Sequence, residues 1–211
     1  MNDLPPILFQ DQHVVAFDKP SGLLSVPGIG PEKADCMASR AARDVEGARI
    51  VHRLDRDTSG VILMARDADT HRELSRQFHD REVRKMYQAI LEGHVSDEEG
   101  LVDAALRKDF DRPPRHLVDH EQGREARTNW KVLERMDAPP RTRIMFNPET
   151  GRSHQLRIHA CTLGHPILGD DLYAPPEIVK LSERLLLHAE SLAFTHPASG
   201  DTIEIRAEVP F

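Results

Sequence analysis

An aspartate set between two arginines, where a charged segment runs into an apolar one, is the first place in this 211-residue chain where side chains could do chemistry. The segment is His52-Arg53-Leu54-Asp55-Arg56-Asp57-Thr58-Ser59-Gly60, and Val61-Ile62-Leu63-Met64-Ala65 follows directly. A carboxylate at the mouth of a core element costs free energy to ionise unless cations stand close, and here they do. Held ionised, Asp55 has the makings of a nucleophile or a general base. Spacing alone favours a plainer reading, because Arg-x-Asp is often a structural ion pair that fixes a loop.

The second candidate is Gly151-Arg152-Ser153-His154-Gln155-Leu156-Arg157-Ile158-His159. At a helix start, backbone N–H groups, a glycine that permits close approach and two arginines make an anion site. The alternative stands at even odds: Ser153 caps the helix and the arginines face solvent. Tyr87, one of only two tyrosines, lies in a strand after a basic helix, where a tyrosine is more often core than catalytic. Twelve histidines invite a metal reading, but His154 and His159 are five apart, and neither that pair nor His188 and His196 makes the i,i+4 pattern with an intervening glutamate. No metal is expected. His-Arg-x-Asp also occurs in protein kinases, yet no glycine-rich phosphate loop or Asp-Phe-Gly accompanies it.

Positioning these groups requires a core, and 39% hydrophobic with 30% charged residues is ordinary for a soluble domain of this length. Cys36 and Cys161 form no C-x-x-C pattern, the N-terminus lacks the basic start and apolar run of a signal peptide, and no stretch is long enough to span a membrane. A reducing, cytoplasmic setting is expected. The net charge of −7 argues against nonspecific nucleic-acid binding, but residues 141–160 carry four arginines against Glu149 alone. An anionic ligand responds to that local field.

Periodicity predicts strands at 13–17, 50–52, 60–66, 84–93, 100–106, 126–135 and 141–146, mostly antiparallel, with 60–66 buried on both faces. Helices are predicted over 36–43 behind Asp35, after Asp67 with Leu74 and Phe78 inward and Arg72, Arg76 and Arg81 outward, and over 153–163, with Leu156, Ala160 and Leu163 buried and His154 and Arg157 on another face. Residues 109–115 read as an exposed, mobile loop, and 185–195 with 202–207 as a closing hairpin around Pro197-Ala198-Ser199-Gly200.

Several of these pieces, taken together and in order, resemble the RluA family of pseudouridine synthases. They are Lys19-Pro20-Ser21-Gly22-Leu23-Leu24, His52-Arg53-Leu54-Asp55 with Thr58-Ser59-Gly60, Lys85-Met86-Tyr87, Thr150 to His159, and Leu187-His188-Ala189. Leu24-Ser25-Val26-Pro27-Gly28 and Gly164-His165-Pro166-Ile167-Leu168-Gly169-Asp170 resemble the short member that modifies both a 23S ribosomal RNA stem-loop and a tRNA anticodon stem-loop. The resemblance implies an α+β pseudouridine synthase fold, a mixed, mostly antiparallel sheet with flanking helices around a central active-site cleft. It also implies that no cofactor is needed; one catalytic domain over 1–211 without an N-terminal S4-type module is expected, with a monomer as the default. Asp55 would act on the ribose, Arg157 would pair with it, Tyr87 would stack on the uracil, and Arg53 would fill the gap left by the flipped uridine. Arg152, His154 and Gln155 would lie near the RNA. Two rivals remain open at this point: an inactive RNA-binding module on the same scaffold, and a metal-dependent phosphoesterase.

Overall fold

The computed structural model describes residues 3–211; Met1 and Asn2, which open the N-terminal segment read above, lie outside the described residues. Along the chain come β1 (Ile7–Gln10), β2 (Val14–Lys19), α1 (Met37–Asp44), β3 (Arg49–Ile50), β4 (Ser59–Ala65), α2 (Ala68–His79), β5 (Arg84–Glu92), β6 (Glu99–Asp103), β7 (Leu106–Lys108), β8 (His116–Val118), β9 (Arg127–Asp137), β10 (Pro140–Pro148), α3 (Gln155–Thr162), α4 (Pro176–Val179), β11 (Leu187–Thr195) and β12 (Thr202–Arg206). This is the α+β class expected, with mixed but mostly antiparallel strand pairing. Two compact units emerge: residues 1–85 with 188–210, and residues 86–187 with Phe211.

In the first unit all seven residues of β4 are buried. Uninterrupted apolar sequence makes such a strand only where both faces are covered. β2 pairs antiparallel with one edge of β4, while β11, parallel, takes its start at Ser59 and Gly60 and β3 takes its end at Met64 and Ala65. β1 pairs with β2, and β12 with β11 in register from Ser191↔Arg206 to Thr195↔Thr202, the predicted hairpin. Val14, Ala16, Val61, Leu63, Leu74, Leu192, Phe194 and Ile205 form the core. α2 begins as predicted, with the Asp67 side chain accepting from the Thr70 N–H. α1 does not: its cap is Cys36, whose sulfur accepts from the Ser39 N–H while the Ser39 hydroxyl accepts from the Cys36 N–H.

In the second unit β5, β10, β9 and β6 pair antiparallel in that order, over a core that includes Leu91, Trp130, Ile144, Phe146, Leu156 and Leu187. A separate hairpin, β7 with β8, carries residues 109–115 at its turn. α3 departs from the one-sided helix predicted. It starts at Gln155 rather than Ser153, behind a left-handed His154 (φ 57°), and its first six residues are all buried, Arg157 and His159 included.

Candidate active site

Asp55 stands on a loop that the rest of its unit holds by the backbone. The Lys19 ammonium is fully buried and donates to three carbonyls, Pro20 O at 2.9 Å, Leu23 O at 2.7 Å and Arg56 O at 2.9 Å. The Ser25 hydroxyl donates to Leu54 O at 2.7 Å and accepts from the Leu54 N–H at 3.1 Å. The Ser21 hydroxyl donates to Asp57 O, and the Gly22 N–H donates to Arg56 O. A buried lysine needs strong acceptors to offset its desolvation, and three carbonyls aimed at one ammonium supply them. The residues flanking Asp55 are thus clamped on both sides. Leu54 is driven inward, Asp55 is left half-buried, and Arg53 is exposed.

His52 closes the same segment from behind. Its Nε2 accepts the Leu63 N–H at 2.9 Å, on the stretch of β4 between the β11 and β3 pairings, and its ring stacks on Phe78 at 4.6 Å. Burial, and then the charge of Lys85, pushes the imidazole down to about 3, so it stays neutral and keeps its acceptor. Burial, with Arg81 as a secondary cause, likewise brings Lys85 down to about 8. Ser59 Oγ and His188 Nδ1 lie 2.8 Å apart where β4 meets β11.

The other candidates lie in the second unit. Tyr87, on β5 opposite Phe146 of β10, is half-buried and packs against the core cluster. Arg157 is 2% exposed and binds Asp170, itself 0% exposed, in a two-pronged pair: Nε donates to Oδ2 at 2.8 Å and Nη2 to Oδ1. Nη2 also reaches Asp171 at 3.0 Å. Oδ1 of Asp170 further accepts from the Leu172 and Tyr173 N–H groups, which brings Tyr173 under the guanidinium at 5.3 Å. Removing one partner of a pair this buried leaves the other charge uncompensated, at roughly 3–5 kcal/mol.

Gln155 is buried and uses its whole amide within the protein. Oε1 accepts from Thr150 Oγ1 and the Arg152 N–H, and Nε2 donates to Arg127 O and Thr128 Oγ1. His159 spans Thr128 Oγ1 and Ala104 O, and burial pushes its pKa down. These two side chains explain why α3 can be buried all round: its polar groups are satisfied internally. Arg152 is tied through Nε to Glu125 O at 2.9 Å. His154 Nδ1 meets the Tyr173 hydroxyl at 2.7 Å, and the same oxygen accepts the His116 N–H at 2.9 Å. Burial raises the Tyr173 hydroxyl to about 12, so it stays protonated.

So Asp55 and Arg53 share one unit, and Tyr87, Arg152, His154, Gln155 and Arg157 the other. The sequence marks Lys19, Ser25 and Asp170 only as members of motifs and does not single out Tyr173. A lysine before Pro-Ser-Gly reads as a turn residue, and only Tyr173's place after Gly169-Asp170-Asp171 hints at its role. Among the described residues no three His, Cys, Asp or Glu side chains are grouped so as to hold a metal ion, and no helix is long and apolar enough to cross a membrane.

Comparison with known proteins sets the class first: the RNA pseudouridylate synthase family profile matches residues 13–161. The dual-specificity RNA pseudouridine synthase RluA of Yersinia pestis is 46% identical over 205 residues, covering 97% of this chain and 99% of that protein. Its Escherichia coli K12 counterpart is 49% identical, covering 97% and 93%. Of solved structures, human RNA pseudouridylate synthase domain containing 1 superposes with a TM-score of 0.81 at 26% identity, covering 97% of this chain and 83% of that one. The chain belongs to the RluA family of RNA pseudouridine synthases.

Proposed function

We propose that this chain converts specific uridines to pseudouridine in stem-loops of 23S ribosomal RNA and of the tRNA anticodon arm, with Asp55 as the group that acts on the ribose. The reaction breaks the bond from uracil N1 to the anomeric carbon and forms one from C5 to that carbon. The C5 proton leaves to solvent and the freed N1 takes up a proton, so there is no net redox change and no hydrolysis. Asp55 serves either as nucleophile at the anomeric carbon or as base at the neighbouring proton; both roles need a carboxylate. The observation that carries the reading is the clamp on its loop, since a carboxylate left half-exposed by a backbone held through Lys19, Ser21, Gly22 and Ser25 is pre-organised for a substrate. Its match to the family aspartate supplies the chemistry.

In this reading Tyr87 stacks on the uracil, Arg53, exposed beside Asp55, fills the space of the flipped nucleotide, and Arg157, expected as the counter-ion of Asp55, acts within its own unit through Asp170 and Asp171. Arg152 and His154 face the RNA, and Gln155 acts by fixing their segment. The two units work as one catalytic domain, monomeric, cytoplasmic and without a cofactor. Dual specificity, the description its RluA relatives carry, supports the pairing of ribosomal and transfer RNA substrates.

The test is tritium release from RNA labelled at uridine C5, using a tRNA anticodon stem-loop and a 23S stem-loop. Wild-type protein is expected to release tritium from both. Asp55→Asn is expected to fall to background while still binding RNA. A folded wild-type protein that releases none from either would defeat the reading.

A further inference from the structure

Phe110 is 77% exposed at the turn of the β7–β8 hairpin. Single exposed apolar residues are common and by themselves mean little. Three observations set this one apart.

The turn that carries it is built to hold shape. Asp109, 3% exposed, accepts the Asp111 and Arg112 N–H groups at 3.1 Å each and Arg112 Nε at 3.0 Å. Its own N–H donates to Arg115 O, and the Arg115 N–H to Arg112 O. A turn braced this way keeps the phenyl ring in water instead of letting it fold back onto apolar surface. The surroundings are cationic, too: Arg107 is paired with Asp119 and Arg112 with Asp109, which leaves Lys108 and Arg115 against Asp111, a local excess of positive charge on a chain of −7. Finally, the hairpin is anchored to the α3 segment through one residue. Tyr173 takes the His116 N–H on its hydroxyl and Arg115 over its ring at 5.1 Å, while the same hydroxyl meets His154 and the same ring lies under Arg157.

We infer that the β7–β8 turn is an RNA-contacting finger on which Phe110 stacks against an unpaired base of the substrate loop, with Lys108 and Arg115 meeting the phosphates beside it. The inference rests on the reading of this chain as an RNA pseudouridine synthase. An exposed aromatic among cations is the arrangement that single-stranded nucleic acid rewards, since every base offers a ring face and every nucleotide a negative charge. Tyr173 then holds the finger in register with His154 and Arg157.

Affinity for a tRNA anticodon stem-loop and for a fully paired RNA duplex tests this, alongside tritium release from the labelled stem-loop. Phe110→Ala and Phe110→Leu are expected to weaken stem-loop binding by at least roughly fivefold and to raise KM more than they lower kcat. Phe110→Tyr is expected to retain wild-type affinity, and duplex binding to change little in any variant. In F110W the new indole reports directly, because the chain's single tryptophan, Trp130, is only 7% exposed; its emission is expected to be quenched by the stem-loop and not by the duplex. Wild-type turnover with stem-loop affinity unchanged in Phe110→Ala overturns the finger alone. So does a change in sedimentation with RNA affinity intact, which would assign the ring to contact between copies of the chain. Absence of turnover in the wild type overturns the underlying reading, and the finger with it.

Discussion

His52 shows how a residue inside a catalytic motif can be there for the strand beside it. Its neutral Nε2 accepts a β4 N–H that neither β11 nor β3 reaches, and protonation would turn that acceptor into a donor facing a donor. Because its folded-state value is lowered to about 3 from an unfolded value near 6.5, the unfolded chain binds the proton more readily. Its contribution is therefore complete above about pH 6.5 and is lost as pH falls from there towards 3. Urea-unfolding midpoints followed through that window are expected to drop more steeply for wild type than for His52→Gln, which keeps an acceptor but cannot titrate. Arg157 makes a second residue-scale point. Its bond to Asp170 makes truncation a structural lesion, so loss of activity in Arg157→Ala says little without a check of folding.

At the scale of elements, β4 carries the tightest constraint in the first unit. Gly60 has φ +108°, and a Cβ there would lie 2.2 Å from Ala189 O on the neighbouring strand. Gly60→Ala is expected to destabilise the protein by more than the ~1–3 kcal/mol of backbone strain alone, read as a lowered unfolding midpoint, since β11 must also move away. The sequence made β4, α2 and the β11–β12 hairpin legible because each has an unbroken period and clear end signals. It placed the start of α3 at Ser153, ahead of a left-handed His154 that nothing in the residue types announces, and it put only Leu156, Ala160 and Leu163 inward, because the burial of Gln155 and His159 depends on partners in β9 and on the Ala104 carbonyl, remote in sequence. β1 and α4 went unread, being four residues each beside prolines, too short for a period to register. The clamp around Asp55 was hidden for a similar reason, since a lysine next to Asp18 at the edge of a turn reads as a solvated charge and gives no sign that three carbonyls will bury it. The turn at 109–115, expected to be mobile, is instead pinned by Asp109, which a reading of charge alone takes for a solvated group.

At the scale of the whole molecule, an excess of acid coexists with an anionic substrate. The arginines of residues 141–160 and the cations near Phe110 are local exceptions within a net −7. RNA binding is therefore expected to weaken with salt, because each phosphate neutralised releases condensed counterions. Against the logarithm of salt concentration, the logarithm of affinity should fall with a modest slope, reflecting few contacts. A flat dependence would remove electrostatics from recognition. The excess acid elsewhere repels RNA from the remaining surface and so confines binding to those patches.

The discontinuity of the first unit also orders events in time. Its core includes Leu192, Phe194, Ile205 and Ala207, whereas the second unit, which takes only Phe211 from beyond residue 187, has its whole core cluster between Ala89 and Leu187. During synthesis the intervening unit is the first to possess all of its core, and the earlier segment waits as unfinished sheet until the ribosome has delivered the last stretch of chain. The loop bearing Asp55, made early, borders a β4 that gains its parallel neighbour only then.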